Sequence, residues 1–151
     1  MNILFVCTGN TCRSPMAEAL MRIAAANAGI NVTCASAGIM AAPGDPATQA
    51  AQQAVRAYNG DLSRHRSRRL SDYLLDEADL VLAMTATQLQ QVKLLGAKDN
   101  AHTLMAYAKL SGDISDPYGG SQATYDDTAR QLWQAVERIA RHLAATNPAG
   151  D

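Results

Sequence analysis

The run Ile3-Leu4-Phe5-Val6-Cys7 passes without a polar break into Thr8-Gly9-Asn10, and Arg13-Ser14-Pro15 follows almost at once. An uninterrupted apolar strand suits a sheet covered on both faces, the usual setting of parallel strands. Proline is accepted in the first turn of a helix, where its missing N–H leaves no bond unmade. The chain therefore passes from buried strand to helix within a few residues. Parallel strands need such crossovers, so this opening commits the fold to repeated strand–helix units.

The rest of the sequence keeps that rhythm. The patterning predicts strands over 2–7, 31–37, 79–84 and 102–107. It predicts helices over 14–28, 46–58, 72–77, 87–95 and about 121–145. Gly29 suits the end of the first helix, and Asn59-Gly60 the end of the second. Leu132, Val136, Ile139 and Leu143 recur at helical spacing in the last one. The fold class expected is α/β: a single doubly wound domain, its four-stranded parallel sheet flanked by helices on both faces. The domain is expected over 1–147, with 148–151 a short C-terminal tail. In such sheets ligands sit beyond the carboxyl ends of the strands, which gathers Cys7, Ser36, Gly38, Met84 and Asp116 on one edge.

Composition narrows the partners. Thirteen Lys+Arg against fourteen Asp+Glu give a formal net charge of -1, which recommends neither nucleic acid nor a membrane surface as a partner. The apolar run at 3–7 is too short to span a bilayer. Met1-Asn2 has no basic flank or cleavage site of a signal peptide. Three cysteines are too few for a disulfide scaffold, so a reducing cytoplasm is the expected location. The sequence assigns no oligomeric state.

The segment from Cys7 to Ser14 has the makings of an anion site. Amides at 8 through 13 can curl into a concave nest at the positive end of a helix. Gly9 and Asn10 are residue types that accept a left-handed backbone, and Arg13 offers a planar fork to two oxygens of a phosphoryl group. The nucleotide-binding alternative fails, because no Lys-Ser/Thr follows the loop. A thiol at the centre of that field favours its thiolate form, which Ser14 can assist, and is placed to attack phosphorus. Asp116, in Ser115-Asp116-Pro117-Tyr118-Gly119-Gly120, is the candidate to protonate the leaving group and then activate water. Cys12, close in sequence to Cys7, could capture an oxidised Cys7 as a disulfide, or could simply pack beneath the loop.

The string VCTGNTCRSPMAEA with a distant DPY resembles the low-molecular-weight protein tyrosine phosphatase family over nearly the whole chain. Ser36-Ala37-Gly38 and the segment 78–84 are similar to that family as well. The resemblance implies a phosphocysteine mechanism with Cys7 as nucleophile, Arg13 as phosphate clamp and Asp116 as general acid and base. It implies a substrate-binding loop of Thr8, Gly9, Asn10, Thr11, Cys12 and Ser14, a pocket wall at Tyr118, and structural support from Ser36. It implies no metal and no cofactor, and phosphorylated proteins as substrates. Thr11, the absence of an aromatic residue over 39–43, and a single aromatic in the Asp-Pro loop look like the bacterial protein-arginine phosphatases within the family. Tyr118 departs from the phenylalanine expected of that branch.

The alternative is a phosphotyrosine phosphatase of the same family. An arsenate reductase would need relay cysteines near 80–95, where this chain has none. A non-catalytic phosphate-binding module would have no use for Cys7, Arg13 and Asp116 together. His65, His102 and His142 show no metal-ligand spacing and read as surface or structural, and the basic stretch holding Arg64, Arg66, Arg68 and Arg69 reads as a solvated loop.

Overall fold

The computed structural model describes residues 1–146; the expected tail at 148–151 lies outside them. In chain order the elements are β1 (Asn2–Cys7), α1 (Arg13–Ala28), β2 (Thr33–Gly38), α2 (Gln49–Arg56), α3 (Asp72–Glu77), β3 (Leu80–Ala83), α4 (Ala86–Leu94), β4 (Ala101–Thr103), α5 (Leu104–Tyr107) and α6 (Gln122–Thr146). The four strands form one all-parallel sheet in the order β2-β1-β3-β4. The doubly wound α/β domain expected from the opening strand is the one observed.

Strand alternation divides the core between the two faces of the sheet. Ile3, Phe5, Leu80 and Leu82 pack with α1, α2 and α6, around Met16, Leu20, Leu132 and Ile139. Leu4, Val6 and Val81 turn the other way, onto Leu75 of α3 and Val92 of α4. Phe5, Leu20, Leu82 and Leu132 are fully buried, each contributing about 1.5–3 kcal/mol relative to an exposed position. Trp133 lies partly buried on α6 with its ring 5.1 Å from that of Tyr58.

Hydroxyl side chains start the short helices. Thr48, Ser71, Thr85 and Thr103 accept from the amides of Ala51, Leu74, Gln88 and Ala106, opening α2, α3, α4 and α5. The second helix accordingly begins at Gln49 rather than 46. Gly29 ends α1 at φ 70, and Asn59 takes φ 67 just beyond α2.

The fourth strand is shorter than the apolar pattern predicts. Residues 101–103 pair with 81–83 of β3, but β3 stops there, so 104–107 have no strand to bond to. The Thr103 hydroxyl caps the Ala106 amide instead, and Leu104 is buried through a single helical turn, α5.

Candidate active site

The connection from β1 to α1 curls around a hollow of about 200 Å³ lined by Cys7, Thr8, Gly9, Asn10, Thr11, Cys12 and Arg13, with Asp116 and Tyr118 closing it from the far side. The helices named above are capped by hydroxyls, but no side chain caps α1, whose N-cap is Cys12. The amides at this helix start have no serine or threonine side chain as acceptor, an arrangement that favours an anion.

Asn10 builds the loop. It adopts φ 58, so the left-handed residue is Asn10 and not Gly9. Its buried amide group donates to Ser14 Oγ at 2.9 Å and to Ser36 Oγ at 3.0 Å, while its Oδ1 accepts from the Arg68 amide at 3.0 Å. Ser36, on β2, thus lies behind the loop rather than in the hollow. Cys7 Sγ lies 2.8 Å from Ser14 Oγ, and the Asn10 amide donates to the sulfur at 3.3 Å. Both contacts suit a thiolate acceptor.

Arg13 is buried, and its Nη1 donates to the Ile114 carbonyl at 2.9 Å. Its Nη2 lies 3.7 Å from Asp116 Oδ2. The other carboxylate oxygen, Asp116 Oδ1, accepts the Tyr118 amide at 3.1 Å, a turn that fixes how the carboxyl hangs over the hollow. Tyr118 itself is 73% exposed and stands at the rim.

Three residues outside the motif support the loop, and His65, expected to be surface or structural, is structural. His65 Nε2 bonds the Asn10 carbonyl at 2.7 Å, and Arg68 Nε donates to the Ser36 carbonyl at 3.0 Å. The basic stretch is therefore a brace under the loop at these two positions, not wholly a solvated segment. Gln88 of α4 is buried and donates to Thr8 Oγ1 at 3.0 Å. No spacing rule links residues so far apart in sequence; contact across the sheet edge does.

Cys7, Cys12 and Cys34 are free thiols, all buried. Cys12 Sγ lies 3.3 Å from the hydroxyl of Tyr125 on α6. Burial, with the Cys12 contact, pushes the Tyr125 hydroxyl up to about 12, so it stays protonated near neutral pH. Among the described residues no cluster of His, Cys, Asp or Glu could hold a metal ion, and no helix is long and apolar enough to cross a membrane.

Residues 2–149 match the family model described as low molecular weight phosphotyrosine protein phosphatase. The chain belongs to that family. It is 42% identical to a protein-arginine-phosphatase of Bacillus subtilis, an alignment covering 95% of this chain and 97% of that protein. It is 33% identical to EpsP of Ralstonia solanacearum, named a probable low molecular weight protein-tyrosine-phosphatase, over 95% and 96% of the two chains. Among solved structures, a YwlE arginine phosphatase C7S mutant with a phosphorylated active site serine superposes with a TM-score of 0.92, at 39% identity and over the full length of both chains. The protein is thus a cysteine-dependent phosphatase of the low-molecular-weight family.

Proposed function

We propose that this enzyme removes phosphate from phosphoarginine side chains of proteins, in the cytoplasm, through a phosphocysteine intermediate. One observation carries the substrate choice: the hollow beside Cys7 is walled on its loop side by the small, polar Thr11, and its one aromatic residue, Tyr118, is largely exposed at the rim. A phosphotyrosine ring is best held between bulky apolar walls, whereas a guanidinium needs hydrogen-bond acceptors, and Asp116 is one at the mouth. The protein-arginine-phosphatase names of the Bacillus and Geobacillus relatives support this reading. Buried free thiols, one of them the nucleophile, suit a reducing compartment.

In the first step the Cys7 thiolate attacks phosphorus. The S–P bond forms, the P–N bond breaks, and the electron pair goes to the departing guanidine nitrogen, which takes the Asp116 proton. Arg13 and the loop amides hold the equatorial oxygens as charge redistributes, and the bond from Arg13 to the Ile114 carbonyl keeps the fork in place. In the second step water gives its proton to Asp116 and attacks phosphorus. The S–P bond breaks, phosphate leaves, and Ser14 and the Asn10 amide receive the returning thiolate.

The experiment that tests the proposal compares kcat/KM for phosphoarginine and phosphotyrosine peptides of one sequence. Higher values for phosphoarginine support it. Equal or higher values for phosphotyrosine make the enzyme a tyrosine phosphatase.

A further inference from the structure

Away from the catalytic loop, a second hollow of about 250 Å³ opens between the end of α5 and the C-terminal half of α6, lined by Tyr107, Ala108, Lys109, Arg138, Arg141 and His142. It is larger than the catalytic hollow and holds three of the chain's thirteen fixed cations. From Tyr125, which touches the catalytic loop, to Arg138 is about 20 Å along α6 at the helical rise. The hollow is therefore separate from the place of the scissile phosphoryl group.

The cations are arranged rather than scattered. Arg138 Nε donates to the Ala108 carbonyl at 2.8 Å, which fixes the guanidinium plane and leaves its two terminal nitrogens for another acceptor. Arg141 is steadied by Glu137 at 2.9 Å, the one carboxylate paired with the group. Lys109 sits at φ 60, a left-handed position usually given to glycine or asparagine, and among the described residues it forms no ion pair. Three cations against one carboxylate match a ligand with more than one negative charge. The wall is aromatic: the Tyr107 ring lies 5.3 Å from that of His102 and meets that of His142 edge-on at 6.5 Å. This braced ring gives a flat group something to stack on, and arginine planes can cover its other side.

From this geometry we infer that the hollow between α5 and α6 is a second ligand site, for a nucleoside diphosphate, with Lys109, Arg138 and Arg141 on the phosphates and Tyr107 against the base.

The test is an NMR titration of the full chain with ADP, repeated with pyrophosphate. ADP should shift the amides of 107–109 and 138–142 saturably, and pyrophosphate should bind there more weakly. The Lys109→Gln/Arg141→Gln double variant, which spares the Arg138 tie to the backbone, should bind ADP about tenfold more weakly or worse, the scale of lost charge-assisted bonds. Its turnover of para-nitrophenyl phosphate should match the unaltered enzyme, showing that it is folded. Shifts confined to 7–13, or undiminished ADP binding by the double variant, overturn the site. Pyrophosphate binding as tightly as ADP overturns the nucleoside assignment.

Discussion

Arg13 donates through Nη1 to the main-chain carbonyl of Ile114, 2.9 Å away and just ahead of Asp116 in the chain. The proposed phosphate clamp is therefore fastened to the segment that carries the proposed acid. Replacing Arg13 with Lys keeps the charge but loses both the fork and this tie. We expect kcat/KM for para-nitrophenyl phosphate to fall by two or more powers of ten, about the effect of losing one preorganised donor to the transition state. Steady-state kinetics check it, and near-normal turnover by the lysine variant would remove the clamp role.

Cys7→Ser should abolish turnover while leaving phosphate and vanadate binding, because the loop and Arg13 remain. Asp116→Asn should keep binding but slow the chemical step by roughly two to four powers of ten. Burst kinetics with a phosphoarginine peptide separate the two effects.

Asn10 bonds the buried Ser14 and Ser36 hydroxyls and accepts from the backbone amide of Arg68. Asn10→Ala strands those partners and puts alanine at φ 58. The expected cost is about 2–4 kcal/mol in urea unfolding, summing an unsatisfied buried group and left-handed strain. Activity should fall further than Ser36→Ala lowers it, since Ser36 holds one of these bonds and Asn10 all of them. Unchanged stability would show that the loop is held by other contacts.

At Gly38 the constraint is space. A Cβ there would stand 2.6 Å from the Thr8 carbonyl oxygen and 2.8 Å from the Ala41 Cβ. The neighbour is loop backbone, so Gly38→Ala must push the loop that follows Cys7. We expect about 1–3 kcal/mol of destabilisation together with lost turnover. Loss of stability with full turnover would separate this glycine from the site.

Thr11→Ile should shift preference toward phosphotyrosine by about 1–3 kcal/mol in the ratio of kcat/KM values, the scale of a methylene or two in a pocket. An unchanged ratio would move the basis of substrate choice away from position 11.

Alkaline stability should depend on Cys34. Burial pushes this thiol from 9.0 up to about 11, with Arg22 opposing and Glu18 adding to the rise. Between those values the unfolded chain has lost the proton that the folded chain keeps, so stability falls as pH rises through that window. The loss is on the order of 2–3 kcal/mol, from two units of displacement. Urea unfolding from pH 8 to 11 should show it, and Cys34→Ala should flatten the slope over that range.

The sequence by itself determined the parallel α/β sheet, because unbroken apolar strands alternating with helical periods have no other economical way to bury both faces. It also determined the neighbourhood of Cys7 to Arg13, a local motif whose residues must lie together whatever the rest of the chain does. Asp116 could be nominated from its Asp-Pro loop, but its 3.7 Å approach to Arg13 came from the return of the chain past Met84, beyond the reach of spacing rules. Tertiary structure alone decided the supports under the loop, since His65, Arg68 and Gln88 meet it across the sheet edge from segments that carry no motif. It also decided the end of β4: apolar residues at 104–107 suit a strand locally, but a strand persists only while a neighbour offers hydrogen bonds, and β3 ends at Ala83.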